Sequence, residues 1–286
     1  MGSMREVRDE EGLRRERASW SSRGRTVGFV PTMGALHEGH LSLVRLARER
    51  ADRVVASIFV NPKQFGPGED FARYPRQPER DAEMLESAGC DLLFRPDVAT
   101  IYPEGNTVSV EPGGPAEGFE GAARPYHFRG VATVVSTLFN LVQPTVAVFG
   151  RKDAQQLAVI RRLVRDLHFP VEIVPAETLR EPDGLALSSR NVYLGPEERA
   201  AAPVLFRALT AARAAIEAGE RCGDKVRGIL RDVLSSEPLG TFDYAEAVDA
   251  ETFRPLATLA GEVVLPLAVR IGRIRLIDNF HLSIES

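Results

Sequence analysis

The run Thr26-Val27-Gly28-Phe29-Val30 favours an extended strand, and further on Leu41, Leu43, Val44, Leu46 and Ala47 recur at helical spacing. Between them lies only Pro31-Thr32-Met33-Gly34-Ala35-Leu36-His37-Glu38-Gly39-His40. The stretch thus sits where an apolar strand turns directly into an amphipathic helix. The spacing predicts a helix starting near His40. Its first backbone N–H groups lack intrahelical partners and sit at the positive end of the dipole, which suits phosphate oxygens. Gly34 and Gly39 let the backbone approach a ligand closely, and two imidazoles three residues apart can reach one polyphosphate. The placement points to a nucleotide triphosphate. The same stretch also reads as an ordinary strand-to-helix turn with His40 as a polar first-turn residue. Zinc fits less well, because the His-Glu-x-x-His spacing is absent. No Gly-x-x-x-x-Gly-Lys-Ser/Thr loop and no Gly-x-Gly-x-x-Gly fingerprint occurs, so a nucleotide must be held another way.

From Arg25 to about Glu177 strand-like and helix-like segments alternate, which predicts a Rossmann-like doubly wound parallel sheet covered by helices. Strands are expected at Val27 to Val30, Val54 to Val60, Leu92 to Phe94, Val146 to Phe149 and Val171 to Val174. Helices are expected at His40 to Arg50, Pro78 to Ala88, Val131 to Leu141 and Ala154 to Leu167. Right-handed crossovers leave ligands at the carboxyl ends of the strands. Three polar clusters fall there: His37 and His40 after the first strand, Asn61-Pro62-Lys63-Gln64-Phe65 after the second, and Gly150-Arg151-Lys152-Asp153 after the fourth. The Gly/Pro-rich segment Tyr102 to Tyr126 reads as a long loop of the kind that serves as a lid, with one short strand at Val108 to Val110. After Leu179, Arg180 to Asn191 forms a turn-rich connector carrying Ser188, Ser189 and Arg190. From Pro196 onward an Ala/Arg/Glu-rich helix, a second helix near Asp224 to Leu234, and short strands at Phe242 to Val248, Glu262 to Val269 and Arg275 to Ile277 predict a smaller α+β C-terminal domain. The expected division is 1–179 and 180–286.

Length and composition set outer bounds. A chain of 286 residues holds one large or two smaller domains. Its 44% apolar and 27% charged residues are those of a soluble globular protein, and no apolar run approaches the roughly 20 residues that span a membrane. The opening Met1-Gly2-Ser3-Met4 reads as a cloning remnant, and the Arg/Glu-rich stretch behind it lacks the apolar core of a secretory signal. Cys90 and Cys222 stand far apart and predict reduced thiols in a cytoplasmic protein, with no metal cluster. A net charge of −4 gives no global basic field for nucleic acid.

Taken together, the chain resembles the pantoate–β-alanine ligases (pantothenate synthetases), within the wider superfamily of nucleotidyl transferases marked by His-x-Gly-His. The resemblance is carried in order by Pro31 to His40, Ser-Ile-Phe-Val-Asn-Pro-Lys-Gln-Phe from Ser57, Ala-Arg-Tyr-Pro-Arg from Ala72 and His-Phe-Arg-Gly-Val from His127. Lys-Asp-Ala-Gln-Gln-Leu from Lys152, Asp-Gly-Leu-Ala-Leu-Ser-Ser-Arg-Asn from Asp183 and Arg-Leu-Ile-Asp-Asn from Arg275 complete the set. Two positions depart from it. Arg151 stands where the family usually has Glu, and Tyr126 where it usually has Gly.

The resemblance implies an ATP-dependent ligase that condenses pantoate with β-alanine through a pantoyl-adenylate, releasing AMP and pyrophosphate. It implies catalytic roles for His40, His37, Lys152 and Arg190, with His40 on the α-phosphate side and His37 at the β/γ end. ATP contacts are implied for Met33, Gly34, Ala35, Leu36, His37, Glu38, Gly39 and His40, for Gly150, Arg151, Lys152 and Asp153, and for Leu179, Leu187, Ser188, Ser189 and Arg190. Gln64 and Gln156 are implied to hold pantoate, and Gln64 also β-alanine. Neutral amides donate to a carboxylate without trapping it in an ion pair. Mg²⁺ is expected on ATP, held by phosphates and water, with no metal site of protein ligands. A homodimer is implied, with no nucleic-acid or membrane partner. Read alone, Lys152-Asp153 also fits a first-turn ion pair, Gln156 a solvated helix residue, and Ser188 to Arg190 the cap of a connector. Tyr74 and Asn61 either line the pantoate pocket or pack, and His127, His168 and His281 read as structural. An adenylyl transferase acting on a phosphate acceptor would favour Arg or Lys where Gln64 and Gln156 stand, and a scaffold or RNA-binding relative sits poorly with the acidic balance.

Overall fold

A computed structural model describes residues 3–285, so Met1 and Gly2 of the opening tetrapeptide lie outside it. Two compact units are present, Met1–Gly150 with Val159–Ala176, and Arg151–Ala158 with Glu177–Ser286. The turn carrying Lys152 thus belongs with the C-terminal unit.

The first unit runs β1 (Arg5–Val7), α1 (Glu10–Ser21), β2 (Val27–Thr32), α2 (Glu38–Arg50), β3 (Arg53–Ile58), α3 (Pro78–Ser87), β4 (Leu92–Phe94) and α4 (Val98–Ile101). It continues through α5 (Phe119–Ala123), α6 (His127–Val142), β5 (Val146–Gly150), α7 (Ala154–Asp166), whose first turn lies in the second unit, and β6 (Glu172–Ala176). The six strands pair in parallel in the order β1-β4-β3-β2-β5-β6. Buried on both faces, β2, β3, β4 and β5 read as near-continuous apolar runs, which is why four of the five expected strands overlap the observed ones closely. Val27, Val30, Val54, Val55, Leu92 and Leu93 are wholly buried in this sheet. From β2 the chain steps one way to β3 and β4 and the other way to β5 and β6. That reversal between β2 and β5 is the topological switch point at which open α/β sheets take their ligands.

The departures have local causes. β1 has a single apolar residue because it is an edge strand, and α1 is polar except for the buried Leu13 and Trp20. No strand forms at Val108 to Val110. The Val110 N–H donates to Thr133 Oγ1 at 3.0 Å and Arg129 donates to Ser109 Oγ, so side chains of α6 take the place of a ladder. The last parallel strand begins and ends later than expected, at Glu172–Ala176.

The second unit holds α8 (Pro196–Ala201), α9 (Val204–Glu217), α10 (Gly223–Ser235), β7 (Gly240–Ala245), β8 (Val248–Asp249), β9 (Gly261–Ile271) and β10 (Ile274–Ile284). Its antiparallel sheet is ordered β10-β9-β7, with β8 also on β9. Val263, Leu265, Leu267, Val269 and Ile271 alternate along β9 and join Leu205, Leu209, Leu230 and Leu234 in one core. The last strand is 11 residues long rather than the short one expected at Arg275 to Ile277. Asp278 and Asn279 read as a break in sequence, yet both are buried within it. Among the described residues no helix is long and apolar enough to cross a membrane.

Candidate active site

In the first unit the site is built on the chain leaving β2. Gly34 (φ +81°) and Ala35 (φ +51°) turn the backbone through left-handed conformations. A Cβ at Gly34 would meet Asp81 Oδ2 at 3.0 Å and Ile58 Cγ2 at 3.1 Å, so both its freedom and its size are used. The carboxylate of Asp81, on α3 and 1% exposed, accepts the N–H groups of Ala35 and Leu36, each at 2.9 Å. Thr32 Oγ1 accepts from Gly34 N at 3.2 Å and donates to Ser57 O. This frame delivers His37 to the N-cap of α2, which starts at Glu38, two residues before the expected His40.

His37 and His40 form a capping box of imidazoles. His37 Nδ1 accepts from Gly39 N at 3.1 Å, and His40 Nδ1, one turn on, accepts from His37 N at 3.4 Å. The rings lie 4.1 Å apart between centroids. With each Nδ1 accepting a backbone N–H, the proton of each neutral ring is assigned to Nε2, which makes that nitrogen the donor. Two N–H donors and the first turn of a helix therefore gather where negative charge is favoured.

Gln64 is set by a second network. It ends a 3-10 turn, Pro62–Gln64, capped by Asn61, and is 7% exposed. Its Oε1 accepts from Asn61 Nδ2 at 3.1 Å, while its Nε2 donates to Met33 Sδ at 3.0 Å. Asn61 Nδ2 also donates to Gly130 O, and Asn61 Oδ1 accepts from Tyr102 Oη at 2.8 Å. Gly130 is required for this approach, since a Cβ there would sit 2.3 Å from Lys63 O. The backbone carbonyl of Gln64 lies 3.2 Å from both Arg124 Nη2 and His127 Nδ1. Arg124 in turn pairs with Glu69 at 2.6 Å. Burial alone would raise the Glu69 carboxyl, but the Arg124 guanidinium outweighs it and holds that carboxyl below its ordinary range. His127, read as structural, thus anchors the turn that carries Gln64, and Asn61 orients the Gln64 amide directly.

The second unit carries the other expected residues. Arg151, Lys152 and Asp153 form a 3-10 turn ahead of α7, with Lys152 Nζ 3.9 Å from Asp153 Oδ1. The unusual Arg151 faces Glu177 at 2.9 Å, so the reversed charge has its own counter-ion. Gln156 lies half-buried in the first turn of α7, next to the buried Gln155. In the connector, Leu187 N donates to Leu179 O at 2.9 Å, and Arg180 bridges Ala186, so Leu179 to Leu187 closes as a small antiparallel loop. Ser188 then caps the 3-10 turn Ser189–Tyr193, its Oγ accepting from Arg190 N, and Asn191 donates to Ala186 O. The expected residues thus fall into two sets. His37, His40, Met33 to Gly39, Gln64 and Gly150 lie in the first unit; Arg151 to Asp153, Gln156, Leu179 and Leu187 to Arg190 lie in the second. Asp81 and Tyr102 escaped the sequence reading. Asp81 is one acid among several in Pro-Glu-Arg-Asp-Ala-Glu, and nothing in that string marks it as the buried one.

The sequence profile of the family described as pantoate-beta-alanine ligase matches residues 5–281. The chain belongs to that family. The pantothenate synthetase of Heliobacterium modesticaldum is 57% identical over 274 residues, 94% of this chain and 98% of that one. That of Chloroflexus aggregans is 56% identical over 271 residues, 94% of this chain and 96% of the other. Among solved structures, pantothenate synthetase from Thermus thermophilus superposes with a TM-score of 0.91 at 52% identity, covering 97% of this chain and 99% of that one. The pantoate-beta-alanine ligase of Francisella tularensis, solved with beta-gamma ATP and beta-alanine, gives a TM-score of 0.77 at 33% identity, covering 97% of each chain. The fold is the family's, a six-stranded parallel Rossmann-like sheet with a smaller antiparallel C-terminal sheet, and the chain is an enzyme of this ligase class.

Proposed function

We propose that the chain condenses pantoate with β-alanine at the expense of ATP, by way of pantoyl-adenylate. The observation that carries this reading is the imidazole capping box at the start of α2, placed just after β2 at the switch point of the sheet. A carboxylate and an amine do not condense in water because the carboxylate oxygen leaves poorly. ATP supplies a better leaving group. In the first step a pantoate carboxylate oxygen attacks the α-phosphorus of ATP, the bond to the bridging α–β oxygen breaks, and pyrophosphate departs with that electron pair. Catalysis here is alignment plus stabilisation of charge on the phosphoryl oxygens. His40 donates to the α-phosphate through Nε2, and His37 serves the β/γ end. Lys152 is a point charge on the phosphates, and Ser188, Ser189 and Arg190 take the pyrophosphate. Asp153 accepts from ribose hydroxyls beside the Gly150 backbone. Met33 to Gly39, Arg151, Leu179 and Leu187 complete the ATP contacts.

Gln64 and Gln156 hold pantoate. The Gln64 amide has its oxygen engaged by Asn61, so its NH₂ end is the one suited to a carboxylate. In the second step the β-alanine amine, at Gln64, attacks the acyl carbon; it loses a proton, the amide forms and AMP leaves. Among the described residues no group of three or more His, Cys, Asp or Glu side chains could hold a metal ion. Mg²⁺ belongs to this reading as part of the ATP complex, held by phosphates and water, where it would neutralise phosphate charge. A homodimer in the cytoplasm belongs to the same reading, and light scattering on the purified chain should give twice the chain mass.

Incubation with ATP, pantoate and β-alanine tests the reaction. Pantothenate and AMP should appear in equal amounts. AMP without the amide, or no AMP at all, overturns it.

A further inference from the structure

The last strand of the chain reaches the turn that carries Lys152. Asn279, on β10 and 4% exposed, donates through Nδ2 to the backbone carbonyls of Arg151 (3.0 Å) and Lys152 (2.8 Å). Both backbone groups of Asn279 bond to side chains. Its N–H donates to Asp278 Oδ1 at 2.7 Å, and its carbonyl accepts from Arg180 Nη2 at 3.3 Å. Its strand partner on β9 is Pro266, which has no N–H to offer. Asp278, 3% exposed, is itself gripped by both terminal nitrogens of Arg180, at 2.6 and 2.9 Å. The guanidinium packs against Phe206 and Phe280, 4.9 and 5.2 Å from their ring centroids, the two rings meeting edge to face. Its Nη1 also donates to Gly184 O, in the connector that leads to Ser188. One buried ion pair thus holds two loops at once, the Lys152 turn through Asn279 and the Ser188–Arg190 loop through Gly184.

We propose that Asn279 is a positioning residue for Lys152, and that the Arg180–Asp278 pair holds the Lys152 turn and the Ser188–Arg190 loop as one phosphate-binding body. The inference rests on the reading of Lys152 as a ligand of ATP phosphates. A lysine is a flexible point charge, so the backbone it hangs from decides where that charge is found. The two carbonyls of a 3-10 turn need donors, and a side-chain amide with a fixed backbone supplies them without mobility.

Calorimetric titration with Mg·ATP on the full chain tests this through a double-mutant cycle. Asn279→Ala should weaken ATP about tenfold, the order of one misplaced charge-assisted contact. Lys152→Ala should weaken it by at least as much, and the double variant should bind within about threefold of Lys152→Ala alone. Leu234→Ala, in the core of the same unit, should lower the melting temperature and leave ATP affinity within about twofold of wild type. The proposal is overturned if the two single losses multiply in the double variant, if Asn279→Ala binds as wild type does, or if Leu234→Ala weakens ATP equally at an equal melting temperature. A wild-type chain that binds ATP but forms no pantothenate sinks the ligase reading and leaves the cycle to decide this one. A wild-type chain that does not bind ATP sinks both.

Discussion

In the proposed reaction His40 acts through Nε2, since its Nδ1 already accepts the His37 N–H. Its removal should therefore take away a hydrogen bond that strengthens as charge develops in the transition state. We expect His40→Ala to lower kcat by about 10²-fold or more, the loss typical for one preorganised donor, with a smaller change in the KM for ATP. Steady-state kinetics check this, and near-native kcat would remove His40 from the chemistry. Gln64→Ala should raise the KM for pantoate more than that for ATP. The pH dependence of stability has one clear contributor nearby. Glu69 is held below its ordinary value of 4.5 by Arg124, so its contribution is complete above that value and is lost as pH falls through the lower folded value. Thermal melts should show Glu69→Gln less stable than wild type at neutral pH, with the gap closing under acid conditions. A gap independent of pH would contradict the assignment. Cys90 stands apart from all of this. Burial pushes its thiol up to about 12, so it should resist alkylation in the folded protein.

At the scale of elements, the frame behind the imidazoles carries as much as the imidazoles do. Asp81 links α3 to the loop after β2 by two charge-assisted bonds, and it holds Ala35 in a left-handed conformation that alanine disfavours. Asp81→Ala leaves two amides without their acceptor and should cost roughly 3 kcal/mol, at 1 to 3 kcal/mol for each buried group left unsatisfied, together with a loss of kcat. Chemical denaturation and kinetics measure both. Stability within error of wild type would show that the loop holds itself. This frame was not legible in the sequence, whereas the parallel strands and the His37–His40 junction were. Apolar runs and turn glycines state their environment locally. A carboxylate such as Asp81 or Asp278 reveals its burial only through partners tens of residues away, Ala35 and Leu36 for one, Arg180 for the other. For the same reason β1 and α1 were missed, since their charged surfaces hide the few residues that pack, and β10 looked short because Asp278 and Asn279 resemble a break. The resemblance proposed residues for the site; it did not say what holds them in place.

At the scale of the whole molecule, the first unit carries imidazoles at a helix start and a fixed glutamine amide, while the second carries the turn of Lys152 and the loop of Ser188, Ser189 and Arg190. Stability of the second unit should depend on its buried ion pair, because removing one partner strands the other charge in an apolar setting. Asp278→Ala should cost about 3 to 5 kcal/mol, read by denaturant unfolding. A loss below about 1 kcal/mol, the range of an exposed pair, would contradict this account of the sheet. If pantoate is activated as its adenylate, one oxygen passes from its carboxylate to AMP. With pantoate labelled in its carboxylate by ¹⁸O, the attacking oxygen stays on phosphorus when the amide forms, so mass spectrometry should find one labelled oxygen in the AMP. Pantothenate formed alongside unlabelled AMP, or alongside ADP and labelled phosphate, would contradict it.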